Sequence, residues 1–243
     1  MNLTKILNLD TKVPYEHGWY AAEWDSIQKY PLLISFPRAG SHWINAVMEL
    51  YFDRPRLPRI RATFLDHAKD DWMWFHDHDT IAYDKLYIEN DEALYLYRDP
   101  VDIVFSYLVY QFNQGRSLRE GNLNLDELVE AASQHYKNHL LKWLPKAKTV
   151  VRNENFKRSP LDEFKKICDH FGEEFIPSRA EWCFSVVTPE ELSKRKTEPN
   201  SLSDFMLSSQ YKDDRTWFTV KYGELINDLV ITDELKEWFD ESI

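Results

Sequence analysis

Two segments of the chain share one design, an apolar strand that stops at a tight turn and opens directly into a helix. The first is Tyr30-Pro-Leu-Leu-Ile-Ser-Phe-Pro-Arg-Ala-Gly-Ser-His-Trp-Ile44 and the second is Ala93-Leu-Tyr-Leu-Tyr-Arg-Asp-Pro-Val-Asp-Ile-Val-Phe-Ser-Tyr107. In the first, Gly40 lets the backbone approach a ligand closely, Ser41 can cap the helix, and the helix start offers N–H groups and a positive dipole end to an anion. A phosphate-type ligand is implied. In the second, Arg98 closes the strand, Asp99 is the expected N-cap, Pro100 takes the first helical position, and Asp102 closes a capping box. Arg98 is thereby placed where a guanidinium can grip a second anion.

Further strand candidates are Trp72 to Phe75 and Thr149 to Val151, beside Leu32 to Phe36 and Ala93 to Tyr97, with helical patterns between several of them. This alternation predicts an α/β fold, a central and mostly parallel sheet covered by helices on both faces. Asn124-Leu-Asp-Glu127 reads as a capping box ahead of Leu128, Ala131, Tyr136, Leu140 and Trp143. Ser159-Pro160 opens another helix that stops at Gly172. The stretches 53–71 and 190–214 carry prolines and charges with little periodicity and are expected to be long loops. At 243 residues, 43% of them hydrophobic, the chain can bury a full core and is expected to form one domain over 1–243.

These segments resemble the sulfotransferases that use 3'-phosphoadenosine 5'-phosphosulfate (PAPS). Phe36-Pro-Arg-Ala-Gly-Ser-His-Trp43 is similar to the family's loop Tyr-Pro-Lys-Ser-Gly-Thr-Thr-Trp, which holds the 5'-phosphosulfate. The resemblance implies a P-loop-like sulfotransferase architecture and a cofactor role for Arg38, Ala39, Gly40, Ser41, His42 and Trp43, the last stacking on adenine. Arg38 replaces a Lys and His42 a hydroxyl residue. Arg98 and Ser106 have the spacing of the family's 3'-phosphate pair. A third likeness is Val150-Val-Arg-Asn-Glu-Asn-Phe-Lys-Arg-Ser-Pro160, continuing into Phe164-Lys-Lys-Ile-Cys-Asp-His-Phe-Gly172, so the resemblance spans about 30–172. The family's C-terminal Arg-Lys-Gly segment has no counterpart here; Arg195-Lys196 and Lys212 with Arg215 are candidates by charge alone.

Sulfuryl transfer needs the acceptor proton removed as the bond to sulfur forms, which a His near neutral pKa does best. In the family a His follows the second strand, and Trp72-Met-Trp-Phe-His-Asp-His-Asp79 offers His76 first and His78 second, on one face of an extended segment. His67 is third. His76 and Asp77 face opposite ways on a strand and no further ligand cluster is evident, so no metal is expected.

The donor is thus expected to be PAPS and the product 3'-phosphoadenosine 5'-phosphate (PAP), with Arg38 on the transferring group and a small-molecule or glycan acceptor. Two other classes stay open, a P-loop kinase and a non-catalytic nucleotide-binding module. A Mg-dependent triphosphatase loop needs Gly-x-x-x-x-Gly-Lys-Ser/Thr, whereas this loop has one Gly and no Lys. The net charge of −11 argues against nucleic acid or an anionic membrane as partner. Cys168 and Cys183 lack metal or disulfide spacing, and no apolar run is long enough to span a bilayer, which predicts a cytoplasmic protein.

Overall fold

A computed structural model describes residues 30–57, 73–78, 92–113, 117–120, 123–194 and 206–240. These residues group into two compact units, one containing 30–97 and 146–194 and the other 98–145 and 206–240.

The first unit is built on a sheet. Its strands are β1 (Leu32–Ser35), β2 (Arg56–Leu57), β3 (Trp74–Asp77), β4 (Leu94–Tyr97) and β5 (Thr149–Arg152), all parallel, in the order β2-β3-β1-β4-β5. Every residue of β1 and β4 is buried; since successive side chains point to opposite faces, both faces of these strands are shielded from water. This is why they read in sequence as continuous apolar runs and not as alternating ones. The edge strand β2 falls in a stretch expected to be loop. Two residues are too few to show a period, and only pairing of Arg56 beside Trp74 reveals it.

Helix α1 (Ser41–Phe52) follows β1. Its buried stripe of Ile44, Val47, Met48 and Tyr51 belongs to the core of this unit. A buried hydrogen bond from Trp74 Nε1 to Asn45 Oδ1 (2.8 Å) joins it to β3. After β5 come α2 (Asn155–Arg158) and α3 (Pro160–Phe171), the latter begun by Pro160 and ended by Gly172 in the left-handed conformation. The short α4 (Pro177–Val186) packs its Phe184 on Phe164 of α3. Tyr51 locks the link between α3 and α4, donating to the Glu174 carbonyl and accepting from the Ile176 N–H. Helix α5 (Pro189–Lys194) lies where a loop was expected, so 190–214 is helical at its start; 195–205 lies outside the described residues.

The second unit is helical. It contains α6 (Pro100–Leu108), a π-helical turn at Val109–Asn113, a 3-10 turn at Leu118–Glu120, α7 (Leu125–Trp143), α8 (Ser209–Val230) and α9 (Lys236–Phe239). Helix α8 also begins inside the expected loop, capped by Ser208, whose side chain accepts from the Tyr211 N–H. Phe105 of α6 meets Tyr211 and Phe218 of α8, the core contact of this unit. Among the described residues no helix is long and apolar enough to cross a membrane.

Candidate functional site

The loop between β1 and α1 is held in an uncommon conformation. Gly40 has φ +97° and Arg38, with a side chain to accommodate, has φ +76°. A non-glycine residue there stores strain that the surroundings must hold in place. Asn153, just past the end of β5, does so: its Nδ2 donates to the Ala39 carbonyl at 3.0 Å and presses on Gly40. A Cβ at Gly40 would lie 2.2 Å from that same nitrogen. The glycine is therefore needed for close approach as well as for its positive φ.

Gly40 is the N-cap of α1 and its carbonyl takes the Trp43 and Ile44 N–H groups, so Ser41 is the first helical residue and not the cap. Ser41 is buried, His42 is exposed, and no acidic side chain stands in the first turn to oppose an anion at the positive end of the helix. Trp43 stacks on Phe184 (centroids 5.7 Å apart) and donates its Nε1 to the Val187 carbonyl at 2.8 Å. Its indole is held by packing, whatever else it touches.

Parallel pairing of β1 with β3 sets Leu33 beside His76 and Ile34 beside Asp77, and one step further Ser35 meets His78. The His76 and His78 rings lie 4.8 Å apart, edge to face. Ser35 serves both. Its carbonyl lies 2.8 Å from Nδ1 of His78, and its Oγ lies 3.2 Å from Nε2 of His76. A carbonyl only accepts, so His78 donates from Nδ1 and keeps its lone pair on Nε2. His76 is 6% exposed, with Nε2 committed to the serine hydroxyl.

Burial pushes the pKa of His76 well below the ordinary imidazole value, with further lowering from His78, Arg56 and His42. For His78 burial again lowers it most; the Ser35 carbonyl and Asp77 oppose, while Arg38 and Arg56 add to the lowering. Arg56 is itself buried and paired with Glu49 at 3.4 Å, a cation stationed in the edge strand. Nothing in the sequence marks Ser35 or Arg56; their roles appear only with strand register.

In the helical unit, the residue after β4 is fixed by a phenol. Tyr136 Oη donates to the Arg98 carbonyl (2.6 Å) and accepts from the Arg98 N–H (3.1 Å). Asp99 caps α6, its side chain accepting from the Asp102 N–H at 3.0 Å. Asp102 spends its carboxylate on cations: Arg98 reaches Oδ2 at 3.1 Å, and Arg215 of α8 forks onto both oxygens at 2.7 and 2.6 Å. Ser106 is buried two turns along α6. His67, Arg195 and Lys196 lie outside the described residues.

The model of the sulfotransferase domain matches residues 72–239, from just ahead of β3 through His76, His78, Arg98 and Ser106 to the end of α9. The chain belongs to the sulfotransferase family. It is accordingly an enzyme that takes PAPS as donor and yields PAP. Its fold is similar to that of a mouse sulfotransferase, SULT7A1, whose crystal structure was determined in complex with PAP; the identity is 15%, the TM-score 0.56, and the likeness covers 88% of this chain and 91% of that one. No curated protein sequence matches.

Proposed function

We propose that this sulfotransferase moves the sulfuryl group of PAPS in line to a hydroxyl or amine of a small-molecule or glycan acceptor, with His78 as the base. The observation that carries the choice of base is the bond from His78 Nδ1 to the Ser35 carbonyl, which fixes the tautomer and leaves Nε2 basic. His76, first in order along the chain, has its Nε2 engaged by Ser35 Oγ and is the more deeply buried of the two. Its role in this reading is to hold the serine that holds His78.

The loop fits a 5'-phosphosulfate on its own terms: Gly40 admits close approach, Ser41 and the α1 N-terminus offer donors and a positive dipole end, and Arg38 stands at the turn. Arg38 stabilises negative charge on the transferring group without giving up a proton. Arg98 and Ser106 take the 3'-phosphate. PAPS supplies the sulfuryl group; the residues supply binding, charge stabilisation and removal of the acceptor proton. The family match over residues 72–239 takes in residues of both compact units, and in this reading they serve one sulfotransferase domain. Buried free thiols at Cys168 and Cys183 suit a reducing, cytoplasmic setting.

The test is a comparison of three variants by PAP titration and by turnover with a panel of acceptors. His78→Ala is expected to lower turnover by roughly 10²–10⁴-fold with PAP affinity within about twofold of wild type. Arg98→Ala is expected to weaken PAP roughly ten- to hundredfold, the loss of a charge-assisted hydrogen bond. His76→Ala is expected to lower stability more than His78→Ala does. If His78→Ala keeps its turnover while folded His76→Ala loses it, the base is His76. If ATP with Mg²⁺ raises the melting temperature strongly and PAP does not, the chain is a phosphotransferase and this reading is wrong.

A further inference from the structure

Arg98 does not stand alone on its helix. It shares the carboxylate of Asp102 with Arg215 of α8, 113 residues beyond Asp102 in the chain. Residues Tyr211, Arg215, Phe218 and Tyr222 recur at helical spacing, and Tyr211 and Phe218 of this stripe meet Phe105 of α6. Gly223 of α8 faces Val101 of α6, where an added Cβ would lie 4.0 Å from Val101 Cγ2, an ordinary contact distance. The packing of α8 on α6 thus delivers Arg215 to Asp102, and its fork engages both carboxylate oxygens, the geometry that a guanidinium holds best.

Charge arithmetic shows what this arrangement does. Asp102 and Arg98 together are neutral, and a neutral pair attracts a phosphate dianion weakly. With Arg215 added, two guanidinium groups face one carboxylate and the cluster carries a net positive charge. Asp102 is buried, so its charge is poorly screened by water and must be balanced locally. Arg215 is 43% exposed along its side chain and is the partner that can balance it while Arg98 is turned to a ligand.

We infer that Arg215 is a positioning residue of the 3'-phosphate grip: by occupying Asp102 it leaves the charge of Arg98 available to the phosphate. This rests on the reading that Arg98 binds the 3'-phosphate of PAP. Arg215 is among the cations that charge alone nominates as C-terminal closers of the nucleotide site, and its contact with Asp102 gives it a distinct task. Arg98 attracts the phosphate, an unbalanced Asp102 would repel it, and Arg215 suppresses that repulsion.

Calorimetric titrations with PAP and with adenosine 5'-phosphate, which lacks the 3'-phosphate, test it. In Arg215→Met the affinity for PAP is expected to fall roughly tenfold or more while that for adenosine 5'-phosphate stays within about twofold. Adding Asp102→Asn to Arg215→Met is expected to restore most of the lost PAP affinity, because the charge that Arg215 balances is gone. Arg215→Lys, which keeps the charge and preserves folding if the Met variant proves unstable, is expected to retain most of the preference for PAP. An equal loss for both nucleotides in Arg215→Met, unaltered PAP binding, or a double variant no better than the single one overturns the inference. Should the wild-type protein fail to prefer PAP over adenosine 5'-phosphate, the 3'-phosphate reading of Arg98 falls first, and this inference falls with it.

Discussion

Two backbone positions decide the character of the first loop. Gly40 combines a positive φ with a neighbour, Asn153 Nδ2, that leaves no space for a Cβ. Gly40→Ala adds left-handed strain of about 1–2 kcal/mol and displaces Asn153 from the Ala39 carbonyl, a further loss of about 1 kcal/mol. The melting temperature is expected to fall by about 4–12 °C, and PAP binding to weaken with it. A variant as stable as wild type would show that Asn153 can move aside freely. Arg56 supports a second prediction at this scale. Its buried charge lowers the pKa of both His76 and His78, so Arg56→Met is expected to raise them and move the acid limb of the pH–rate profile to higher pH. A limb that stays in place would separate Arg56 from the base. Sequence marks the glycine, because Gly after Pro-Arg-Ala in a strand-to-helix turn has few other uses. It does not mark Asn153 or Arg56, whose effects depend on what lies across the sheet.

At the scale of the element, local chemistry is legible and its limits are instructive. Asp99-Pro100 and Ser159-Pro160 both precede helices, as spacing predicts, yet only Asp99 makes a side-chain cap bond. Asn124, at the head of an apparent capping box, makes none, and Asp102 turns from the cap to two arginines. Asp99→Ala is therefore expected to cost about 1 kcal/mol of stability and Asn124→Ala only a few tenths, measured by urea unfolding. Equal losses would mean that the Asn124 cap forms in solution. Residues 190–214 read as loop because their charges hide the amphipathic period; α8 nevertheless buries Phe218, Tyr222, Ile226 and Val230 along one stripe. The stripe begins only beyond the stretch that looked irregular.

The whole molecule carries a pH dependence set by buried neutral imidazoles. Burial lowers His76 well below its ordinary value, lowers His78, and takes His135 and His170 down to about 4. In the unfolded chain these groups bind a proton near pH 6.5; in the folded one they do so only at lower pH. Between the two values the unfolded state binds more protons, so stability rises with pH in that window. It is full above about pH 6.5 and falls as the pH drops toward 4, at up to about 1.4 kcal/mol per pH unit for each group. Urea midpoints measured from pH 8 to pH 4 are expected to fall most steeply below 6.5, and His170→Gln is expected to flatten the slope. A midpoint constant between pH 7 and pH 5 would show that these rings are hydrated in the folded protein.

The amino-acid sequence alone determined the parallel α/β class and the two strand–turn–helix segments, because each is written within a dozen or so neighbouring residues as periodicity and punctuation. Tertiary structure decided the contacts that give those segments chemistry. Ser35 reaches His78 across 43 residues, Arg215 reaches Asp102 across 113, and Asn153 reaches the Ala39 carbonyl across 114. No local pattern encodes such a partner, since strand register and helix packing select it only when the buried surfaces of distant segments close together.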